Sequence, residues 1–179
     1  MKWTFRILVL AFIVAFLHYT LPHHSIVRIV GTENKRVNVG WNIIFYDGRM
    51  RNAQGDLVGT DIWFINTVRP NGKSLVFRNE DTNWWPPYLK FNSADLQTEA
   101  TDLVSTADSP RWVAVTYYGW RSNLMSIYPN AVRLREVDSP DQRIIPWFNI
   151  VFIIVLIALA RAIQVRVRRW WNRRFGSEA

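Results

Sequence analysis

The chain contains no cysteine, and this absence removes several kinds of chemistry at once. Disulfide bonds, thiolate nucleophiles, cysteine-based zinc sites and iron–sulfur clusters are all excluded. Histidine is almost as scarce, because the chain has only His18, His23 and His24, all near the amino terminus. A Ser-His-Asp triad in the middle of the chain is therefore excluded, and no nucleotide-binding or zinc-protease motif is present. We expect no cofactor and no catalytic residues.

Positive charge is distributed unevenly along the chain. The net charge is +8, yet residues 22–143 hold fourteen basic and thirteen acidic side chains. The excess therefore lies in the two terminal segments, where it flanks apolar sequence. A nucleic-acid-binding protein would carry a basic face on its central domain, so we expect no nucleic-acid partner. Lysine and arginine beside an apolar segment instead mark the cytoplasmic end of a membrane span.

The carboxyl-terminal apolar segment predicts a transmembrane helix. Residues Ile144 to Ala160 carry no charge, and with their neighbours they are long enough to cross a bilayer. Arginines and tryptophans follow at once: Arg161, Arg166, Arg168, Arg169, Trp170, Trp171, Arg173 and Arg174. We expect this tail to continue as an amphipathic helix that binds anionic lipid headgroups. The alternative is a stop-transfer signal without a specific lipid or partner site.

The amino-terminal apolar segment predicts a second anchor. It runs from Ile7 to Leu17 behind Lys2 and Arg6, which is also the layout of a secretory signal peptide. Residues 18–24 lack the small residues of a cleavage site, so an uncleaved anchor is favoured over a cleaved signal. Both termini would then be cytoplasmic, and residues 24–142 would lie in the periplasm beside a bacterial inner membrane.

These segments divide the chain into four parts. We expect an amino-terminal anchor at 1–23, a periplasmic domain at 24–142, a transmembrane helix at 143–165 and a basic cytoplasmic tail at 166–179. The fold class is that of a membrane protein with two transmembrane helices flanking a mainly-β (α+β) domain. That domain is predicted to be a small antiparallel barrel or sandwich with one helix over an opening.

Alternating β-branched and aromatic residues predict short strands in the central domain. The strands are expected at 25–30, 61–68, 73–77, 111–120 and 132–137. The first is expected to end at Gly31, and the second and third flank Asn71-Gly72 as a hairpin. The fourth is predicted to be central and the last an edge strand. A long mobile loop is expected at 47–59.

One helix is predicted in the central domain, with Ser93 as its cap. Its apolar stripe consists of Leu96, Ala100, Leu103 and Val104, and its opposite face carries Asp95, Glu99 and Asp102. Three carboxylates with this spacing suit a hard cation, but a solvated polar face is the favoured interpretation. The histidines also lack acidic neighbours, so contacts at the membrane interface are favoured over a metal site.

The tract from Arg78 to Tyr88 is the strongest candidate for a binding surface, because it is too polar for a core and too aromatic for a simple loop. Arg121, which follows an aromatic strand, is a further candidate. The candidate partner or ligand contacts are Arg78, Glu80, Asp81, Trp84, Trp85, Tyr88 and Arg121. The favoured interpretation is nevertheless structural: a tryptophan closes the end of the barrel, Glu80 and Asp81 pair with Arg78, and Arg121 forms an internal ion pair.

Several tracts together resemble a known family. These are residues 28–36, 78–82, 85–88, 90–97, 116–121 and 126–130, of which Arg-Asn-Glu-Asp and Trp-Pro-Pro are the most specific parts. They are similar to the bacterial domain-of-unknown-function family numbered 1523, from the first anchor to about Val137. The resemblance implies a small inner-membrane protein of Gram-negative bacteria, often alphaproteobacterial, and it implies no activity.

Two anchors, an aromatic tract and the lack of catalytic residues predict a non-enzymatic protein. We expect an accessory or assembly subunit of a larger membrane complex, with other inner-membrane proteins and anionic lipids as partners. A periplasmic module that binds a glycan or another envelope ligand is the alternative. A metal- or carboxylate-dependent envelope hydrolase is the third hypothesis.

Overall fold

The computed structural model describes residues 2–37, 60–82 and 86–175. The chain forms two compact units, Met1–Ile144 and Ile145–Ala179. The first unit holds one apolar helix and a β-domain, and the second holds one long helix. In chain order the elements are α1 (Lys2–Thr20), β1 (His23–Val37), β2 (Thr60–Val68), β3 (Ser74–Asn79), α2 (Ser93–Asp102), β4 (Trp112–Tyr118), β5 (Asn130–Arg133), β6 (Glu136–Val137) and α3 (Trp147–Phe175).

The strands of the first unit close into a small barrel. Their order is β1-β2-β3-β5-β4, and β4 pairs back onto β1. Of the alternatives predicted from the sequence, the barrel is the one observed. The sheet is mixed: its other strand pairs are antiparallel as predicted, whereas β3 and β5 run parallel at one position. This strand order, with α2 between β3 and β4, is the connectivity of the OB-fold.

β1 passes through Gly31 instead of ending there as predicted. The register between β1 and β2 shifts between Ile29 and Gly31, which places a bulge at Val30 and bends the strand. The first part of β1 pairs with β4, and the part beyond Arg28 pairs with β2. One bent strand therefore contributes to two sides of the barrel, which closes the sheet on itself.

The hairpin prediction is confirmed. β2 and β3 flank residues 69–73, where the amide of Gly72 donates to the carbonyl of Arg69 at 2.9 Å. Gly72 has a φ of 77°, a conformation that glycine adopts without strain. The edge strand predicted at 132–137 is observed only at β6, which stands at the end of the sheet order next to β4. Two short strands, β5 and β6, form there, and β5 pairs with both β3 and β4.

Apolar side chains fill the barrel, and α2 covers one end. The buried cluster is Val27, Ile29, Ile65, Leu75, Phe77, Leu96, Ala100, Leu103, Val113, Val115, Ala131 and Leu134. The helix prediction is confirmed with two corrections. Asn92, not Ser93, occupies the N-cap position and makes no side-chain cap bond. Val104 lies beyond the helix and is exposed, because α2 ends at Asp102.

Two helices, α1 and α3, are long and apolar enough to cross a membrane. α3 continues without a break from its apolar half through the arginines to Phe175, so the prediction of a helical tail is confirmed. At about 1.5 Å per residue it is longer than the ~30 Å hydrocarbon core of a bilayer. The loop expected at 47–59 lies outside the described residues.

Candidate functional site

The barrel is closed between β3 and β5 by side chains more than by backbone. Arg78 and Asn130 form the single paired position between these strands. Next to it, the amide of Arg78 donates to the carbonyl of Pro129 at 2.9 Å. The side chain of Asn130 then accepts from the amide of Glu80 and donates to the carbonyl of Glu80, both at 3.0 Å. Asn130 thus supplies the pairing that a longer strand would have supplied through its backbone.

A buried lysine holds the same region from inside the barrel. Lys90 is 3% exposed. Its amine donates to the carbonyl of Ala131 at 2.8 Å and to the side-chain oxygen of Asn79. The Asn79 amide donates in turn to the Gln97 side chain at 2.9 Å and to the Ser93 carbonyl at 2.8 Å. Lys90 therefore connects β3 and β5 directly, and α2 through Asn79.

Burial lowers the pKa of the Lys90 amine from its ordinary 10.5 to about 7, and the negative charges of Asp81 and Glu80 partly offset this effect. A neutral amine at physiological pH is the form that acts as a nucleophile in enzymes. Here, however, the amine is enclosed and donates to two acceptors in the protein. The arrangement gives Lys90 a structural role at the barrel closure.

On the outer side of the same strand, Arg78 forms a buried ion pair. Its guanidinium lies 3.0 Å from the Glu80 carboxylate, and the Arg78 side chain is 3% exposed. Arg78 also hydrogen-bonds Tyr19 of α1. The hydrogen bond between Arg78 and Tyr19 thus joins the barrel to the amino-terminal helix. We call Arg78, Asn79, Glu80, Lys90 and Asn130 the polar seam.

The last turn of α1 is fixed to the barrel by aromatic residues. The Tyr88 hydroxyl donates to the carbonyl of Thr20 at 2.6 Å, and its ring stacks on Tyr118 at 4.8 Å between centroids. The Tyr19 ring packs edge-on against Tyr118 and Trp120, at 6.3 and 5.3 Å. Burial raises the pKa of Tyr88 and of Tyr118, so both hydroxyls stay protonated at neutral pH. We call these contacts the α1 joint.

Gly119 permits this close approach of helix and barrel. Its amide donates to the carbonyl of Tyr19 at 2.9 Å, and its φ is 93°. A Cβ atom there would lie 3.7 Å from the Tyr19 ring. Any other residue would adopt this left-handed conformation with strain, so glycine is required by the backbone more than by space.

Within the tract from Arg78 to Tyr88, the residues predicted as ligand or partner contacts fall into three groups. Arg78, Glu80 and Tyr88 meet at the polar seam and the α1 joint, and Glu80 pairs with Arg78 as the structural alternative proposed. Asp81 accepts from the amide of Ser93 at 3.0 Å, so it supports the start of α2 and does not pair with Arg78. Trp84 and Trp85 lie outside the described residues.

Arg121 lies apart from that tract, in the loop between β4 and β5. Its guanidinium sits 4.2 Å from the centre of the Tyr128 ring and donates to the carbonyls of Ser122 and Ile127. Among the described residues its contacts are with carbonyls and an aromatic ring, so the predicted internal ion pair is not formed there. Tyr128 packs on Phe64 of β2 at 5.1 Å.

The arginines of α3 are exposed along its second half. Arg161 donates to the Gln164 side chain at 3.0 Å, and the Arg174 guanidinium lies 5.5 Å from the Trp170 ring. These side chains form a cationic and aromatic surface of the kind expected at anionic headgroups. Asp95, Glu99 and Asp102 of α2 are also exposed, and within the described part of the chain no three acidic or histidine residues are grouped to hold a metal ion.

Sequence reasoning missed the residues that hold the polar seam from inside, Asn79, Lys90 and Asn130. Lys90 stands between Leu89 and Phe91, both exposed, which reverses the usual pattern of burial. Leu89 has a φ of 47°, a left-handed conformation that is rare outside glycine. The left-handed conformation of Leu89 directly precedes the buried Lys90, and the sequence does not reveal it.

Comparison with known proteins bears out the resemblance seen in the sequence. The family DUF1523, described as a protein of unknown function, matches residues 1–171. An uncharacterised protein of Haemophilus influenzae is 35% identical over 166 residues, covering 90% of this chain and 88% of the relative. No solved structure matches the chain. On both the family match and this relative, the chain belongs to the DUF1523 family.

Proposed function

We propose that this protein is a non-enzymatic accessory or assembly subunit of an inner-membrane complex. α1 and α3 span the membrane, both termini are cytoplasmic, and the barrel lies in the periplasm. Lys2, Arg6 and the arginines after Ala160 support this orientation, because basic residues stay on the cytoplasmic side. In this orientation, which is inferred from the distribution of charge, the barrel can contact the periplasmic parts of partner proteins.

The α1 joint is the observation that carries the proposal. Hydrogen bonds to the backbone of Tyr19 and Thr20, together with two stacked tyrosines, fix the barrel on its helix. A barrel tethered only to keep it near the membrane would need no such contacts. A subunit that presents one surface to a neighbouring membrane protein does need a fixed orientation. A surface that is already fixed loses less conformational entropy when the neighbour binds.

Mild-detergent extraction of the full chain, tagged after Ala179, tests the subunit proposal. We expect a membrane protein to co-purify in constant stoichiometry. Replacing residues 3–17 with an unrelated apolar span should reduce this association if α1 contributes to the contact, while the α1 joint at residues 18–20 stays intact. The matched control replaces residues 147–160 of α3 in the same way. A protein that migrates alone with both native spans would contradict the proposal.

Orientation is tested separately with reporter fusions. A fusion after Ala179 should report cytoplasm, and a fusion near Asn52 should report periplasm. The reverse result would overturn the orientation and the placement of the barrel.

A periplasmic module for a glycan or other envelope ligand is the second candidate, and the barrel connectivity favours it. OB-folds bind oligosaccharides and oligonucleotides on the face of their second and third strands, although a shared fold is only an analogy. In this chain that face is apolar at Ile62 and Phe64 and is covered by Tyr128. Quenching of tryptophan fluorescence by envelope fragments, lost in Trp84→Ala and Trp85→Ala, would support this candidate. No response to any fragment would remove it.

A further inference from the structure

A cleft of about 380 Å³ lies beside the last turn of α1. Four separate parts of the first unit contribute to it: His18 from α1, His23 from the start of β1, Arg69 from the β2–β3 turn and Arg121 from the β4–β5 loop. Tyr117 and Trp120 supply aromatic walls. Because these parts are distant in sequence, only the closed barrel with α1 docked on it brings the four basic side chains together.

The charge of the cleft favours an anion. Its positive charge comes from Arg69 and Arg121, His18 and His23 add ring nitrogens, and none of its described lining residues is acidic. Arg121 is held in place by the Ser122 and Ile127 carbonyls, both bonds made through one guanidinium nitrogen, and by the ring of Tyr128. Its other guanidinium nitrogens make no hydrogen bond to the described residues and are placed to bind a ligand. Positioned guanidinium groups bind phosphate and carboxylate oxygens through two parallel hydrogen bonds.

The two histidines are also oriented by hydrogen bonds. The Trp120 indole donates to Nδ1 of His18 at 3.0 Å, so the neutral His18 ring carries its hydrogen on Nε2 and keeps a donor. Nε2 of His23 lies 2.7 Å from the carbonyl of His18 and must donate to it. The rings lie 4.8 Å apart. The Nε2 donor of His18 is therefore oriented before any ligand binds, whereas the Nε2 hydrogen of His23 is already used, and a fixed donor reduces the entropy lost on binding.

The position of the cleft identifies the kind of anion. His18 lies in the last turn of the α1 span, and Trp120 bonds to it at the depth where tryptophan meets headgroups. The loop that follows exposes Leu124, at 96%, and Met125, which suits contact with the edge of the acyl region. We propose that this cleft binds the phosphate of an anionic phospholipid headgroup on the periplasmic side. The proposal depends on α1 spanning the membrane, as in the proposed function.

Native mass spectrometry of the full-length protein in mild detergent tests the lipid site. The six tail arginines are first changed to glutamine, so that lipid bound there does not contribute: Arg161, Arg166, Arg168, Arg169, Arg173 and Arg174. In this background we expect phosphatidylglycerol to bind more tightly than phosphatidylcholine. Arg69→Gln should weaken phosphatidylglycerol binding about fivefold, as expected for one cation near a lipid surface. Arg36→Gln, an exposed arginine of β1 outside the cleft, is the matched control and should have no effect.

Unchanged affinity in Arg69→Gln would overturn the proposal. Arg69→Lys keeps the charge and should retain most of the binding, which separates loss of charge from a misfolded turn. Inorganic phosphate that competes with phosphatidylglycerol at equal concentration would show that free phosphate is the ligand, and would overturn the lipid assignment. Lipid affinity is measured without any protein partner. The lipid site can therefore be confirmed or overturned even if no protein co-purifies and the subunit proposal fails.

Discussion

The barrel interior and the polar seam are both buried, but different forces hold them. The interior consists of aliphatic and aromatic side chains around Phe77, whose contacts have no required direction. In the seam, Lys90 and Asn130 each meet specific acceptors and donors within hydrogen-bond distance. The difference follows from the strands: β2 and β3 pair along six positions, whereas β3 and β5 pair at one. Where the backbone stops pairing, side chains must satisfy its polar groups.

The barrel interior and the polar seam should therefore differ in which substitutions they tolerate. An apolar interior tolerates changes that keep its volume, because its stability comes from the area removed from water and from close contact. A buried polar network tolerates far less, because each lost partner leaves another group without a hydrogen bond. Unfolding of the full-length protein in mild detergent measures this difference between the two regions.

The largest effect is expected inside the barrel, at Phe77. Phe77→Ala should lower the free energy of unfolding by about 3–5 kcal/mol, because it removes apolar contacts and leaves a cavity. Phe77→Leu keeps much of the volume and should lower it by only about 1 kcal/mol. Urea unfolding followed by circular dichroism measures both. Equal losses for the two variants would show that volume does not determine stability there.

In the polar seam, Asn130→Ala should lower the free energy of unfolding by about 3 kcal/mol. The change leaves the amide and carbonyl of Glu80 without their partner and removes the donor to the Tyr118 hydroxyl. The control is Asn123→Ala, an exposed asparagine of the β4–β5 loop, for which less than about 0.5 kcal/mol is expected. A loss at Asn130 no larger than this control would contradict the role of the seam in closing the barrel.

Lys90 should make stability depend on pH. Its folded pKa lies below its unfolded value, so the unfolded state binds more protons between pH 7 and 10. Stability should therefore rise with pH in that range, by about 2 kcal/mol from pH 7 to pH 9. His24, whose pKa is lowered by burial, acts at lower pH, and the buried tyrosines, whose pKa values are raised, act above pH 10.

The Lys90→Met variant isolates this effect. Methionine is similar in length and keeps no charge, so the rise in stability between pH 7 and pH 9 should disappear. The variant should also be less stable at pH 9, because the Asn79 and Ala131 oxygens lose their donor. The same pH slope in Lys90→Met would assign the effect to another group.

The smallest effect is expected at the α1 joint. Tyr88→Phe removes the hydrogen bond to the Thr20 carbonyl but keeps the stacked ring, so a loss of about 1 kcal/mol is expected. Tyr128→Phe is the matched control, because its hydroxyl has no hydrogen-bond partner among the described residues. Amide hydrogen exchange at residues 18–21 should increase in Tyr88→Phe and not in Tyr128→Phe. Unchanged exchange would indicate that this bond does not fix α1.

Local patterns predicted the local parts of the fold. The β2–β3 hairpin followed from Asn71-Gly72, and β4 followed from its β-branched and aromatic residues, because a turn and a strand depend on neighbouring positions. The bulge in β1 and the parallel pairing of β5 with β3 were not predicted. Both depend on segments far apart in the chain, and the strand at 132–137 alone does not indicate how many neighbours it has.

The candidate site was predicted only in part, for the same reason. The tract from Arg78 to Tyr88 was identified by its unusual composition, and its residues do meet at the polar seam and the α1 joint. Lys90 was missed because a lysine is rarely buried, and its burial depends on acceptors supplied by Asn79 and Ala131. Asp81 was assigned to Arg78, its neighbour in sequence, whereas its partner is the amide of Ser93.

Only Leu21 and Pro22 separate α1 from β1. The amide of Leu21 still donates to the carbonyl of Leu17 at 2.8 Å, so the helical bonding continues to the last residue before the proline. The barrel therefore moves together with α1 as one rigid body. Helices in thin bilayers tilt to match the hydrocarbon thickness. If α1 spans the membrane as proposed, a tilt of the helix changes the direction of the barrel's outer end, so the thickness of the membrane would set that direction.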